Sequence, residues 1–406
     1  MKLLLLNSVC GIGSTGRICV DIAREYEQNG YDVKIAYGRD GHVPADAQKY
    51  AVRIGNDFDV RMHILYTRLT DKHGLASKRA TRRFLKWADE YNPDILWMHN
   101  IHGYYINYEL LFDWIKSRPQ MQVKWTLHDC WAFTGHCSHY MSVKCDRWEA
   151  DGKDDRCENC PQLRHYPASL WFSNTPNNYS RKKNAFTDAP NLKLITPSKW
   201  LAGEVRKSYL REYPVEVIYN EINTQIFHPC PMPEDSAVEE TTASFRRRYS
   251  IPDNTHIVLA VSGVWNKSKG LDDLLELDDR LRDRFQTANN GPAPYIQLVI
   301  VGVTSKQAIA IRGSHPDILC IEHTNSVQEL AEIYRSADVF INPTYEDNYP
   351  TVNLEAEACG TPVITYDTGG STETIHLPES KVIDQGVVNL MSSILELFNN
   401  TGGRHV

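Results

Sequence analysis

Short apolar runs alternate with longer polar stretches of helical character along nearly the whole chain: Leu3–Leu6, Val33–Tyr37, Ile95–Met98, Val123–Leu127, Leu192–Ile195 and Val215–Ile218. Such alternation is the mark of an open parallel sheet covered by helices. Around residues 220–252 the pattern dissolves into proline, acidic residues and a Thr-Thr-Ala stretch. It resumes with Ile257–Val261, Ile296–Val301, Ile318–Ile321, Val339–Ile341 and Val363–Tyr366. The expectation is an α/β chain of two doubly wound domains facing across a cleft, residues 1–220 and 221–406. A chain of 406 residues is long enough for two full cores. Ligands of such folds sit outside the carboxyl ends of the strands.

The stretch PTYEDNYPTVNLEAEACGTPVITYDTGGSTE, Pro343 to Glu373, follows one of these runs. Pro350 followed by Thr351 suits the first turn of a helix, because proline lacks the amide hydrogen that would be wasted there. The free amides of that turn, with the positive end of the helix dipole, make a site for phosphate oxygens. Asp347 and Glu355 are eight positions apart, one in the entry loop and the other a turn inside the helix. A phosphate carrying hydroxyl-rich groups on either side satisfies both features.

This pattern resembles the signature of retaining glycosyltransferases of family 4, which have the two-domain GT-B fold: an acid, seven intervening positions and a Glu, then small residues and Gly-Thr-Pro-Val. The match runs from Asp347 through Glu355 to Ala356, Ala358, Gly360, Thr361, Pro362 and Val363. The first acid is usually Glu; here Glu346 stands one place early, and the count from Glu355 selects Asp347. The Asp-Asn-Tyr-Pro form is similar to the colanic-acid and exopolysaccharide branch. The resemblance implies that Glu355 holds ribose hydroxyls and Asp347 binds the donor sugar. It also implies that the amides around Asn348, Tyr349, Pro350, Thr351 and Val352 receive the diphosphate of a nucleotide-diphosphate sugar. In the family a Gly-Arg…Lys-Gly loop adds two cations. Lys269-Gly270 matches, Val264 occupies the arginine's place, and Lys267 is the nearest replacement. Relatives end their first domain on Val-Ile-x-Asn, here VIYN before Glu221, and border the nucleobase with a loop and helix resembling Glu322–Glu332.

Gly11, Gly13 and Gly16 in GIGSTGR follow the first strand as a literal G-x-G-x-x-G. In an NAD(P)-dependent oxidoreductase these glycines would admit a pyrophosphate, with Asp40 on the ribose. A plain tight turn also accounts for them. In the resembling family a loop at this place covers the donor diphosphate, which assigns Gly13 and Gly16 to donor closure. His128, just past the strand ending at Leu127, matches a family histidine that contacts the donor sugar, and Asp129 is placed to orient it.

Five of the ten cysteines crowd between Cys130 and Cys160. Cys137, Cys145, Cys157 and Cys160 offer the four thiolates of a closed structural zinc site within an insertion at about 130–161. Cys130, His136 and His139 are spare ligands; free thiols and disulfides are the other two readings. Four protein ligands leave that site no open position for catalysis, and no catalytic metal is expected where lysine and a helix terminus serve the diphosphate.

Ser77 to Lys86, SKRATRRFLK, interleaves basic residues with Phe84 and Leu85. It reads either as a solvated helix face or as a peripheral membrane patch for anionic head groups. The resemblance implies a glycan or polyprenyl-diphosphate-linked acceptor, for which Tyr104 and Tyr105 are stacking candidates. The formal charge of −7 argues against a nucleic-acid partner. MKLLLLN reads as a first strand and not a leader, and with no apolar run of about 18 residues the expected place is the cytoplasm, at the inner membrane face if the patch docks. A non-catalytic sugar-binding protein of the same fold is the remaining alternative.

Overall fold

The computed structural model describes residues 1–150, 157–229, 244–287 and 295–401. The chain divides into two compact units, Met1–Tyr219 and Asn220–Val406. In the first, β1 (Lys2–Leu6), β2 (Asp32–Tyr37), β3 (Ala51–Arg53), β4 (Ile95–Met98), β5 (Gln122–Thr126), β6 (Leu192–Thr196) and β7 (Val215–Val217) form a sheet of order β3-β2-β1-β4-β5-β6-β7. In the second, β8 (Thr255–Val261), β9 (Tyr295–Val301), β10 (Leu319–Ile321), β11 (Val339–Asn342), β12 (Val363–Tyr366) and β13 (Lys381–Ile383) form a sheet of order β10-β9-β8-β11-β12-β13. Every strand pair in both sheets is parallel.

Successive residues of a strand point to opposite faces, so a continuous apolar run feeds two cores at once. Leu4 and Leu6 pack with Leu96, Met98 and Trp125 on one face, while Leu3 and Leu5 pack with Ile35, Ile95 and Trp97 on the other. The second unit repeats the arrangement: Val258, Ala260 and Ile341 enter one core, and Ile257, Leu259 and Phe340 the other. The edge strands β3 and β13 escape the apolar pattern because they are three residues long and none of their residues is buried.

In each sheet the chain winds outward from a central strand in one direction and then returns to its other side. The reversal lies between β1 and β4 in the first unit and between β8 and β11 in the second. In open α/β sheets ligands bind outside the carboxyl ends of the strands at such a reversal.

Candidate functional site

At the reversal in the second unit, the loops after β8 and β11 meet. Asn266 caps the short turn Lys267–Lys269 by accepting from Lys269 N at 3.0 Å. Gly270 follows with φ of +77°, and a Cβ there would overlap the carbonyl oxygen of Pro343, so the two loops touch where only glycine fits. Tyr345 N donates to Ser268 O at 2.8 Å and ties them further. Lys269 Nζ thereby reaches Asp347 Oδ2 at 2.6 Å and the Glu346 carbonyl at 3.0 Å. The contact with Glu346 is to its backbone carbonyl, and the contact with Asp347 is to its carboxylate. Lys267 is exposed and makes no ion pair among the described residues, and Val264 is 68% exposed. Of the two lysines, only Lys269 is brought to the acid.

The helix Thr351–Ala358 starts one residue after the expected place, with Pro350 as its extended N-cap. Asp347 Oδ1 accepts from Tyr349 N at 3.2 Å, shaping the turn that leads into the helix. A buried polar ladder fixes the helix: Asn342 Nδ2 donates to Asn353 Oδ1 at 2.8 Å, and Asn353 Nδ2 to Thr374 Oγ1 at 2.9 Å. Glu355 is half-buried and accepts from Tyr334 O–H at 3.0 Å. Glu357, two places on, has a structural task that the sequence reading missed. Its carboxylate accepts from the amides of His376 and Leu377 at 2.8 and 3.1 Å. The helix amides, one lysine and two flanking acids thus share one strand end, an arrangement able to receive a diphosphate and the hydroxyls on both sides of it.

In the first unit Gly13 opens the helix Gly13–Gln28, and a side chain there would meet nothing. Gly16 instead packs tightly on the Gly11 amide, whose N–H donates to Gly16 O at 3.1 Å. Asp40 is exposed and turns back to accept from His42 N at 3.2 Å. His128 lies past β5 with its Nε2 2.9 Å from His99 Nδ1, the rings stacked. Burial holds it down to about 4, so it is a neutral hydrogen-bonding group. Asp129 lies 2.9 Å from His102 Nε2 and accepts from the Trp131 amide, its charge also acts on His128, and His99 is a further neighbour that holds the His128 ring. His102 Nδ1 in turn lies 2.9 Å from Tyr166 O–H.

Three further expectations change. Tyr105 is a core residue, 1% exposed, its hydroxyl donating to Asn100 O, and Tyr104 is packed against His63, His73 and Tyr166. Neither presents a free ring face to a sugar. Phe84 and Leu85 are buried in the core, so the basic run carries charge on the surface without an apolar anchor of its own.

The four-sulfur zinc site does not form. Among the described residues, the set of metal-capable side chains whose ligand atoms lie within 4.8 Å of one another is Asp278, Asp279 and His315, and Cys137, Cys145, Cys157 and Cys160 make no such set. The Cys137 thiol donates to Cys160, which pushes Cys137 up and holds Cys160 down to about 6, while Cys157 accepts from the Gly135 amide at 3.3 Å. Aromatic packing takes the metal's place in holding the segment. Trp148 is 1% exposed against Phe133 and Tyr140, its Nε1 bonded to Cys145 O and its carbonyl to Tyr179 O–H. Residues 151–156 of the insertion lie outside the described residues.

Residues 15–226 match the family described as Glycosyltransferase Family 4, and residues 255–400 the one described as Glycosyl transferases group 1. The chain is 32% identical over 150 residues to the D-inositol 3-phosphate glycosyltransferase of Stackebrandtia nassauensis, covering 35% of this chain and 33% of that one. It is 21% identical over 300 residues to the putative colanic acid biosynthesis glycosyl transferase WcaC of Escherichia coli, covering 72% of this chain and 64% of that one. It therefore spans about a third to two thirds of the length of these curated relatives. The crystal structure of Anabaena HepE in complex with UDP superposes with a TM-score of 0.62 at 14% identity, over 99% of this chain and 91% of that one. The fold is GT-B, and the family matches set aside the oxidoreductase reading of GIGSTGR. From its first helix to its last the chain carries the two matching halves in order, and it belongs to glycosyltransferase family 4.

Proposed function

We propose that the protein is a retaining glycosyltransferase. It moves a sugar from a nucleotide-diphosphate donor to a hydroxyl of a glycan or a polyprenyl-diphosphate-linked glycan during surface polysaccharide assembly, at the cytoplasmic face of the membrane. The observation that carries this reading is the Lys269–Asp347 pair at the strand reversal, directly in front of the helix beginning at Thr351. In this reading Lys269 and the amides of residues 348–352 take the charge that grows on the diphosphate as the bond from the anomeric carbon to the phosphate oxygen breaks. The electron pair leaves on that oxygen. The acceptor hydroxyl attacks the same face of the sugar, and its proton passes to the departing phosphate. Glu355 holds the ribose hydroxyls and Asp347 fixes the donor sugar, and the resemblance gives Gly13, Gly16 and neutral His128 to the donor as well.

HepE's complex with UDP and the naming of WcaC for colanic acid biosynthesis support the donor and pathway class. The test is a panel of nucleotide sugars, followed by released nucleoside diphosphate. One donor should be hydrolysed slowly without acceptor, and Asp347→Ala and Lys269→Ala should abolish the release. Thermal stabilisation by NAD(H) and by no nucleoside diphosphate would overturn the reading.

A further inference from the structure

The helix Asp57–Thr70 is inverted with respect to ordinary amphipathic packing. Its fully buried side chains are polar, His63 and Thr67, while Phe58, Met62, Leu65, Tyr66 and Leu69 are 68, 46, 48, 37 and 37% exposed. Their spacing places all five on one outward stripe, roughly 100° wide at 3.6 residues per turn. The stripe continues onto a second segment. Leu170 N donates to Arg68 O at 2.9 Å, and Ser169 Oγ bonds Phe172 O at 2.7 Å. Leu170, Trp171 and Phe172 are thereby held beside the helix's last turn at 48, 71 and 64% exposure. Scattered exposed apolar residues are ordinary, but a contiguous set of this kind marks an interaction surface.

The charge around this surface is mainly positive, with Asp57, Asp89 and Glu90 as the exposed acids of the two helices. Arg61 and Arg68 are exposed on the same helix. The next helix, Lys78–Tyr91, packs against it through His63 Nδ1 to Ser77 Oγ at 2.9 Å and exposes Lys78, Arg79, Arg82, Arg83 and Lys86. Of the nearby acids, Asp57 is engaged by Arg53, and Asp59 closes the helix cap on Asn56. This basic rim stands out in a chain whose formal charge is −7.

We infer that the Phe58–Leu69 stripe and residues 170–172 dock on an anionic lipid bilayer. Apolar and aromatic side chains would enter the head-group boundary while the flanking lysines and arginines meet lipid phosphates, each cation contributing about 1 kcal/mol near such a surface. A second copy of the chain fits less well, because a symmetric contact would set these cations against their own counterparts. The docking element is thus not the basic helix alone, whose apolar side faces the core. This inference stands apart from the donor site, since it can be read without nucleotide.

The test is co-sedimentation of the full chain with vesicles of phosphatidylglycerol and phosphatidylethanolamine, and with vesicles of phosphatidylcholine alone. Binding to the anionic vesicles should exceed binding to phosphatidylcholine by about tenfold or more and weaken at about 0.5 M salt. Trp171→Ser with Phe172→Ser, and separately Phe58→Ser with Leu65→Ser, should each lower it about tenfold while the melting temperature stays put. Arg79→Glu with Arg82→Glu should lower it as well. Equal binding by the serine variants, or no binding by the unaltered chain, overturns the inference. So does a dimer in solution that the Trp171→Ser, Phe172→Ser variant converts to monomer. Loss of vesicle binding with nucleoside diphosphate binding intact would leave the proposed function standing.

Discussion

Lys269 Nζ lies 2.6 Å from Asp347 Oδ2, and the two residues stand on loops leaving the neighbouring strands β8 and β11. Both side chains keep about a quarter to a third of their surface, so solvent screens the pair and its own contribution to folding is about 0–1 kcal/mol. A contact worth so little for stability is free to be exchanged for a ligand phosphate.

Lys269→Ala is therefore expected to change unfolding free energy by no more than about 1 kcal/mol. Turnover should fall about 10²–10³-fold, the usual cost of losing one group aimed at developing negative charge. Urea unfolding and nucleoside diphosphate release check the two halves. Unaltered turnover would remove Lys269 from the phosphate site.

Gly270→Ala asks the opposite question. A methyl group there overlaps the Pro343 carbonyl in a left-handed backbone conformation, so the loops must part. The expected loss of stability is about 1–3 kcal/mol, with turnover falling because Lys269 is carried away from Asp347. A variant as stable as the original protein would contradict the close approach.

Glu355 and Glu357 should separate cleanly. Glu355→Gln is expected to weaken nucleoside diphosphate binding about tenfold, with little change in melting, because it loses a charge-assisted bond to ribose. Glu357→Gln should lower stability by about 1–3 kcal/mol, since the amides of His376 and Leu377 lose their charged acceptor. Titration calorimetry and thermal melting distinguish the two. Equal effects of both substitutions on binding would mean that the helix is placed differently from the ribose.

The first unit should be acid-sensitive for a reason distinct from its carboxylates. Burial holds His128 down to about 4 and His63 to about 3, and places His73 and His99 well below the ordinary value of 6.5. The unfolded chain takes up protons near 6.5 while the folded chain does not. The stability these groups contribute is complete above 6.5 and is lost as pH falls toward 4. Tryptophan fluorescence should report a melting temperature that drops across that interval, and turnover should show no ionisation of His128 between pH 6 and 8. An unchanged melting temperature at pH 4.5 would contradict neutral burial.

Most of the architecture was legible in the sequence because β1, β4, β8 and β11 are continuous apolar runs, and a run buried on both faces has few other homes. That Lys269 and Asp347 come together was foreshadowed by the family resemblance, which rests on their spacing and neighbouring glycines; the roles given to them and to Glu355 are proposals. Partner choice was not. Nothing in Thr-Leu-His-Asp tells that Asp129 reaches His102 or that His128 reaches His99, since those contacts are made by residues far along the chain. The cysteines misled for the same reason: their spacing suits a metal, but their sulfurs do not gather into a four-ligand set among the described residues, and Trp148 packs the segment. The helix 57–70 went unread because its periodicity is ordinary, and only the fold reveals that the apolar side faces outward.

Asn353 grips strand β11 through Asn342 and the turn at Thr374 at the same moment. Sliding along the helix axis would break both grips among buried groups. Helix, strand and turn are thereby coupled as a single stiff block. On the proposed function, the amides at Thr351 stand in place before a donor arrives.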